Sequence, residues 1–245
     1  MDTVERGIHP LRIFVAGASG AIGRPLIGML VAAGHEVTGT TRSSDRATGI
    51  IEARARAEVV DILDPDALAA AVARARAEIV IHLVTDLTPR PGEELGPAVF
   101  ARNSHVREVG TRHLTEAAAA AGARRVIAQS LAWLYLPGPE PHTEDESIVP
   151  DDGSMDAGRR AVVELERMVT TDPRFDGIVL RFGRLYGPGT WAATPPEPPT
   201  THVEAAARAM ALAVGRGEPG IYQAVDDGGP ASNAKARQLL GWTPS

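Results

Sequence analysis

The sequence predicts an α/β fold: a doubly wound parallel sheet with a small, shortened C-terminal substrate lobe. Three observations carry this. Apolar β-like runs alternate with helix-like stretches from Leu11 onward, and a glycine-rich turn follows the first run. The chain, 245 residues of which 44% are apolar, is long enough to bury one sizeable core. One domain is expected, with a dinucleotide-binding core over residues 11–185 and lid and substrate-lobe elements over residues 186–245.

Taken in order, "L-R-I-F-V-A-G" reads as a strand, and "P-L-I-G-M-L-V-A-A-G-H" continues as a helix after the glycine turn. "E-V-T-G-T-T" and "A-E-V-V-D" are the second and third strands, followed by the helix "D-A-L-A-A-A-V-A-R-A". "E-I-V-I-H-L-V" is a fourth strand, and Ala98 to Ala121 a long helix closed by Gly122 as its C′ glycine. "R-V-I-A-Q-S" and "G-I-V-L-R-F" are the fifth and sixth strands, with an amphipathic helix starting within residues 154–166 between them. Ligands of such a sheet sit at the carboxyl ends of the strands. Two Pro/Gly-rich stretches, Pro137 to Pro150 and Gly187 to Pro199, are expected to cross that edge as loops.

Composition excludes several classes. The net charge is -6 with charges interspersed, whereas nucleic acid requires a clustered basic face. Cysteine is absent, which removes disulfides and thiolate chemistry. The seven histidines lack metal-ligand spacing, so no metal is expected; His82 reads as a structural strand-end residue and His202 as a loop residue. The start "M-D-T-V-E-R-G-I-H-P-L-R" lacks a basic segment followed by an apolar core, and no apolar run approaches the ~20 residues of a membrane span. A cytoplasmic, soluble protein that binds small molecules is expected.

"G-A-S-G-A-I-G", residues 17–23, passes from strand to helix with glycine at its first, fourth and seventh places. This is the Rossmann-like arrangement: Gly17 permits the turn, Gly20 admits a pyrophosphate, Gly23 allows close helix packing, and Ser19, Ala21 and Ile22 complete the cradle at the helix N-terminus. At the end of the second strand an acid would accept hydrogen bonds from a free ribose 2′-hydroxyl. Thr41, Arg42 and Ser43 stand there instead and offer donors to a 2′-phosphate, which favours NADP(H) over NAD(H). Arg42 also reads as one more solvated arginine. Asp61, with Ile62, is placed to face adenine, and Asp61 equally suits a cap on the next helix.

Together with "V-V-D", "I-H-L", "R-N" with "G-T", "Q-S-L-A-W-L-Y", "R-F-G-R-L-Y-G-P-G" and "L-G-W-T-P", these motifs resemble the extended short-chain dehydrogenase/reductases, the NAD-dependent epimerase/dehydratase family. The resemblance implies that Leu83 and Val84 flank the cofactor and that Ser130, Phe182 and Gly183 lie near the nicotinamide. It also implies a homodimer through the long central helices.

The departures concern chemistry. Leu131 stands where the family places a Ser or Thr four residues before the tyrosine matching Tyr135. The family's Tyr-x-x-x-Lys is followed by a glutamate four residues after the lysine; anchoring on Glu164 puts Asp156 at the tyrosine and Arg160 at the lysine. Lys235 is the only lysine in the chain and falls too late to substitute. Arg160 can hold a ribose but releases no proton at accessible pH. Asp156 is either a replacement acid or a first-turn acid paired with Arg160.

The expectation is an atypical NADPH-dependent ketoreductase for a flat phenolic ketone of aromatic-polyketide type, its proton supplied by the substrate's own phenol. It resembles reductases of antibiotic pathways such as the angucycline ketoreductases. Leu131, Trp133, Tyr135, Tyr186, Trp191 and His202 are the expected substrate-lining residues, Trp191 within a proline-rich lid. The alternative is a non-redox cyclase, isomerase or dinucleotide-sensing regulator on the same fold.

Overall fold

The computed structural model describes residues 10–150 and 152–244. The polar start at residues 1–9, on which the absence of a leader was read, lies outside them. Seven parallel strands form the sheet: β1 (Arg12–Ala16), β2 (Glu36–Thr41), β3 (Arg56–Val59), β4 (Ile79–His82), β5 (Arg125–Leu131), β6 (Asp176–Phe182) and β9 (Gly220–Ala224). Their spatial order is β3-β2-β1-β4-β5-β6-β9, so the chain reverses direction across the sheet between β1 and β4. A crevice at that reversal is where a doubly wound sheet takes its ligand. β7 (Arg184–Tyr186) and β8 (Thr200–His202) pair separately.

The helices are α1 (Gly23–Ala32), α2 (Ser44–Glu52), α3 (Pro65–Ala75), α4 (Pro97–His105), α5 (Thr111–Ala120), α6 (Ala157–Thr170) and α7 (Val203–Ala213). α4 and α5 form the expected long helix, joined by a π turn at Val106–Gly110, and Gly122 at φ +73° follows it. Strand alternation sorts the core into two layers. Ile13 and Val15 pack with Leu26, Leu30 and Met210 on one face, and Phe14 and Ala16 with Leu68, Leu114 and Leu165 on the other.

Two elements depart from the expected order. α7 packs on α1 and β9 hydrogen-bonds along β6, so residues 203–224 belong to the sheet and its cover although they follow the boundary expected near residue 185. No described helix is long and apolar enough to cross a membrane.

Candidate active site

The first half of the site is made by backbone. Gly17 has φ +88°, and a Cβ there would come 3.0 Å from the Leu83 carbonyl carbon. A Cβ on Gly23 would fall 2.4 Å from Gly17 O, which ties this position to glycine. Gly20 meets only Gly17 O, at 3.2 Å, leaving its other side open to a ligand. The first turn of α1 carries no acidic residue and no side-chain cap, so its N–H groups favour an anion. This cradle fits a pyrophosphate.

The end of β2 is tied to that turn. Gly17 N donates to Thr40 Oγ1 (3.3 Å), Ser19 Oγ donates to Thr41 Oγ1 (3.1 Å), and Ser43 N donates to the same oxygen (3.2 Å). Arg42 is not free: its Nη2 donates to Asp86 Oδ1 at 3.0 Å, an acid the sequence did not single out. Asp86 and the field of Asp61 both hold the Arg42 guanidinium in its charged form. Asp61 does not cap α3. Its Oδ1 accepts from Leu63 N within its own turn, and the cap is Asp64, which accepts from Ala67 N. Ile62 is buried where the π turn approaches; a Cβ on Gly110 would lie 3.0 Å from its Cγ2.

The second half is a buried polar cluster on the sheet face covered by α5 and α6. Ser130 and Arg181 are register partners on β5 and β6, and alternation points both toward α6. There Glu166 accepts from Ser130 Oγ (2.6 Å), Arg181 Nε (2.8 Å) and Arg181 Nη2 (2.6 Å). Ser130, expected as a catalytic residue near the nicotinamide, has its hydroxyl committed to Glu166. Arg181 Nη1 also donates to Tyr135 Oη (2.6 Å), whose ring stacks on His142 at 4.8 Å. Burial pushes the Tyr135 phenol up to about 12, against the pull of Arg181.

His82 is structural, as expected. Burial pushes it down to about 3; Nδ1 accepts from Val84 N, so Nε2 carries the proton and donates to Thr111 Oγ1 at 2.9 Å. Arg107, on the π turn, is 4% exposed, and its Nε and Nη1 have no hydrogen-bond partner. Burial lowers it to about 10 while Glu166 acts to keep it charged. Two guanidiniums thus share the field of one carboxylate.

The two glutamates of α6 have different surroundings. Glu164 is half-buried and paired with Arg167 at 2.6 Å, whereas Glu166 is buried against the sheet. Steps of four along a helix keep to one face. One and two turns before Glu166 on that face stand Val162, which is buried, and Gly158. Asp156 is instead the N-cap of α6, its Oδ1 accepting from Arg159 N at 2.8 Å. Arg160 makes no ion pair with it among the described residues and donates to Met155 O. Arg159 Nη1 donates to Leu134 O and Ile148 O and pins the loop after β5 to α6.

The expected substrate residues split into groups. Trp133 stacks under Arg184, 5.5 Å from its ring, next to Leu131 at the end of β5. Tyr186 meets His202 edge-on at 5.1 Å; His202 ends β8 and precedes α7 rather than lying in a loop. Phe182 is buried, and Gly183 is explained by packing: its Cβ would lie 2.5 Å from Pro199 O. Trp191 is 69% exposed on a turn closed by Thr190 Oγ1, which donates to Gly187 O. The nearest neighbour of that turn at Gly189 is the Ala21 Cα, 4.0 Å from a Cβ built there, so the loop reaches the pyrophosphate cradle.

Comparison with known proteins agrees with this geometry. The profile of the NAD dependent epimerase/dehydratase family matches residues 13–226. A 3-diazoavenalumate denitrifying reductase from a Streptomyces species is 46% identical over 183 residues, 74% of this chain and 58% of that relative's length. Among solved structures, the UDP-glucose 4-epimerase of Thermotoga maritima with UDP-glucose superposes with TM-score 0.77 at 18% identity, covering 95% of this chain and 93% of that one. The UDP-glucuronic acid 4-epimerase of Bacillus cereus in complex with NAD gives 0.73 at 16% identity, with the same coverages. At such identities these two share the fold.

Proposed function

The chain belongs to the NAD-dependent epimerase/dehydratase family, and from that premise we propose that it is a nicotinamide-dependent reductase whose acceptor needs no proton from the protein. The observation that carries this is the start of α6, where Asp156 is spent on capping the helix at Arg159 N and Arg160, bonded to Met155 O, releases no proton. A protein acid contributes roughly 10²- to 10⁴-fold to a carbonyl reduction. An acceptor that does not need one explains its loss.

A diazo-substituted aromatic acid is such an acceptor, and the name of the 46%-identical relative supports it. Bound NAD(P)H supplies a hydride; with an arenediazonium the balance is R–N₂⁺ + H⁻ → R–H + N₂, a C–H bond replacing a C–N bond with no proton consumed. The chain's own groups bind and position. Gly17, Gly20 and Gly23 hold the pyrophosphate, Asp61 faces adenine, and Leu83 and Val84 flank the riboses. Trp133 and Tyr135 offer aromatic faces to the ring, and the Gly187–Ala192 turn shields the phosphates from water. Arg42 gives NADP(H) its preference through the 2′-phosphate.

A phenolic ketone of polyketide type is the second reading, favoured by the same lack of a free acid at the start of α6, because an adjacent phenol delivers its own proton by proximity. The test is a panel of both acceptor classes with NADPH absorbance and N₂ release followed together. One NADPH oxidised per N₂ released supports the diazo reading, and NADPH oxidation with phenolic ketones alone supports the second. Turnover of either class without nicotinamide oxidation would overturn both in favour of a non-redox protein of this fold.

A further inference from the structure

The carboxylate missing from the end of β2 is supplied from the end of β4. Asp86 follows β4 by four residues, its side chain is 13% exposed, and its backbone N is held by Asn103 Oδ1 at 3.0 Å. It grips Arg42 with both oxygens, at 3.0 and 3.5 Å. On its other side Arg102 Nε lies 3.6 Å from Asp86 Oδ2, and that nitrogen is buried with no hydrogen-bond partner. The remaining Arg102 nitrogens are taken by Glu93, at 2.6 and 2.8 Å. One carboxylate thus has two guanidiniums beside it, one bonded and one just out of reach.

We propose that Asp86 is the residue that sets cofactor specificity, by holding Arg42 when no 2′-phosphate is present and passing to Arg102 when Arg42 turns to the phosphate. The proposal rests on the dinucleotide reading of the site. Its chemistry is an exchange of partners. A phosphate monoester is a stronger partner for a guanidinium than a carboxylate and also repels Asp86. Left alone, Asp86 would be a partly buried charge with no counter-ion, which is costly. Arg102 Nε, already aimed at Oδ2 and otherwise unpaired, removes that cost with a shift of well under 1 Å. With a free 2′-hydroxyl, the Arg42–Asp86 pair stays closed and NADH binds without the exchange.

The test is nucleotide affinity by fluorescence titration, with NADPH, NADH and adenosine 2′,5′-bisphosphate as probes, alongside melting temperature without ligand. Asp86→Asn keeps the shape and the Asn103 contact but frees Arg42 of competing charge. It should tighten NADPH and the bisphosphate by about tenfold while leaving NADH within about twofold. Arg102→Met should weaken NADPH and the bisphosphate by several-fold and spare NADH, because Asp86 then has no second partner. Equal changes for NADPH and NADH in both variants, or a lowered melting temperature with an unchanged NADPH to NADH ratio, would overturn the proposal and make the pair merely structural. If the wild-type protein binds none of the three probes, the dinucleotide reading falls and takes this inference with it.

Discussion

The nucleotide half and the reaction half of the site are built from different materials. Around Gly17 to Gly23 the design lies in backbone: three glycines, a helix end and hydroxyls that tie β2 to the turn. Around Ser130, Glu166 and Arg181 it lies in side chains, and these are spent on one another. A backbone cradle retains its ligand chemistry while nearby side chains change. A catalytic constellation does not, and at the start of α6 Asp156 is spent as the helix cap. On the proposed function, the contrast is that of a protein that binds its cofactor without supplying an acid.

The sharpest way to break the comparison is Glu166→Ala. It removes the one carboxylate facing Arg181 and Arg107 and leaves both charges buried, so a loss of about 3–5 kcal/mol in stability is expected, read by denaturant unfolding. A loss under about 1 kcal/mol would show that the cluster is not an electrostatic unit. Gly23→Ala attacks the other half. Its Cβ would strike backbone oxygens of Gly17 and Ala18 at 2.4 and 2.6 Å, costing about 1–3 kcal/mol and most of the nucleotide affinity.

Arg107→Met sharpens the picture from the opposite side. Arg181 already satisfies Glu166, so replacing the second cation, whose Nε and Nη1 have no hydrogen-bond partner, with an apolar chain should leave the melting temperature unchanged or raise it. A clear fall would show that Arg107 has a strong partner. Asp156 gives the smallest effect. Asp156→Ala removes the N-cap and should cost about 1 kcal/mol, while Asp156→Asn keeps the cap and should leave turnover nearly intact.

Legibility followed the same division. The glycine turn, the alternating strands and the helix ending at Gly122 were readable because each has a local cause in backbone geometry or periodicity. β9 was missed because "G-I-Y-Q-A" is a five-residue run whose partner, β6, is distant in sequence. α7 was missed although its alanine-rich stretch is helical in pattern, since residues past 185 were assigned to a lobe. The buried cluster under α6 was not legible because Glu164 and Glu166 are two residues apart, and only burial tells which faces the sheet. Asp86 left no signal at all: its meaning arises where the end of β4 meets Arg42, a contact across 44 residues.

The most direct test of the absent acid is the pH dependence of nicotinamide oxidation in a single turnover with a diazo acceptor. Between about pH 6 and pH 9 His82, pushed down to about 3, stays neutral, and the Tyr135 phenol, pushed up to about 12, stays protonated. With Asp156 spent as the N-cap of α6 and Arg160 unable to release a proton, the rate should be flat across that range, with one N₂ released per nicotinamide oxidised. A fall in rate as pH rises through the range that disappears in Asp156→Asn or Tyr135→Phe would contradict the account and identify the proton donor.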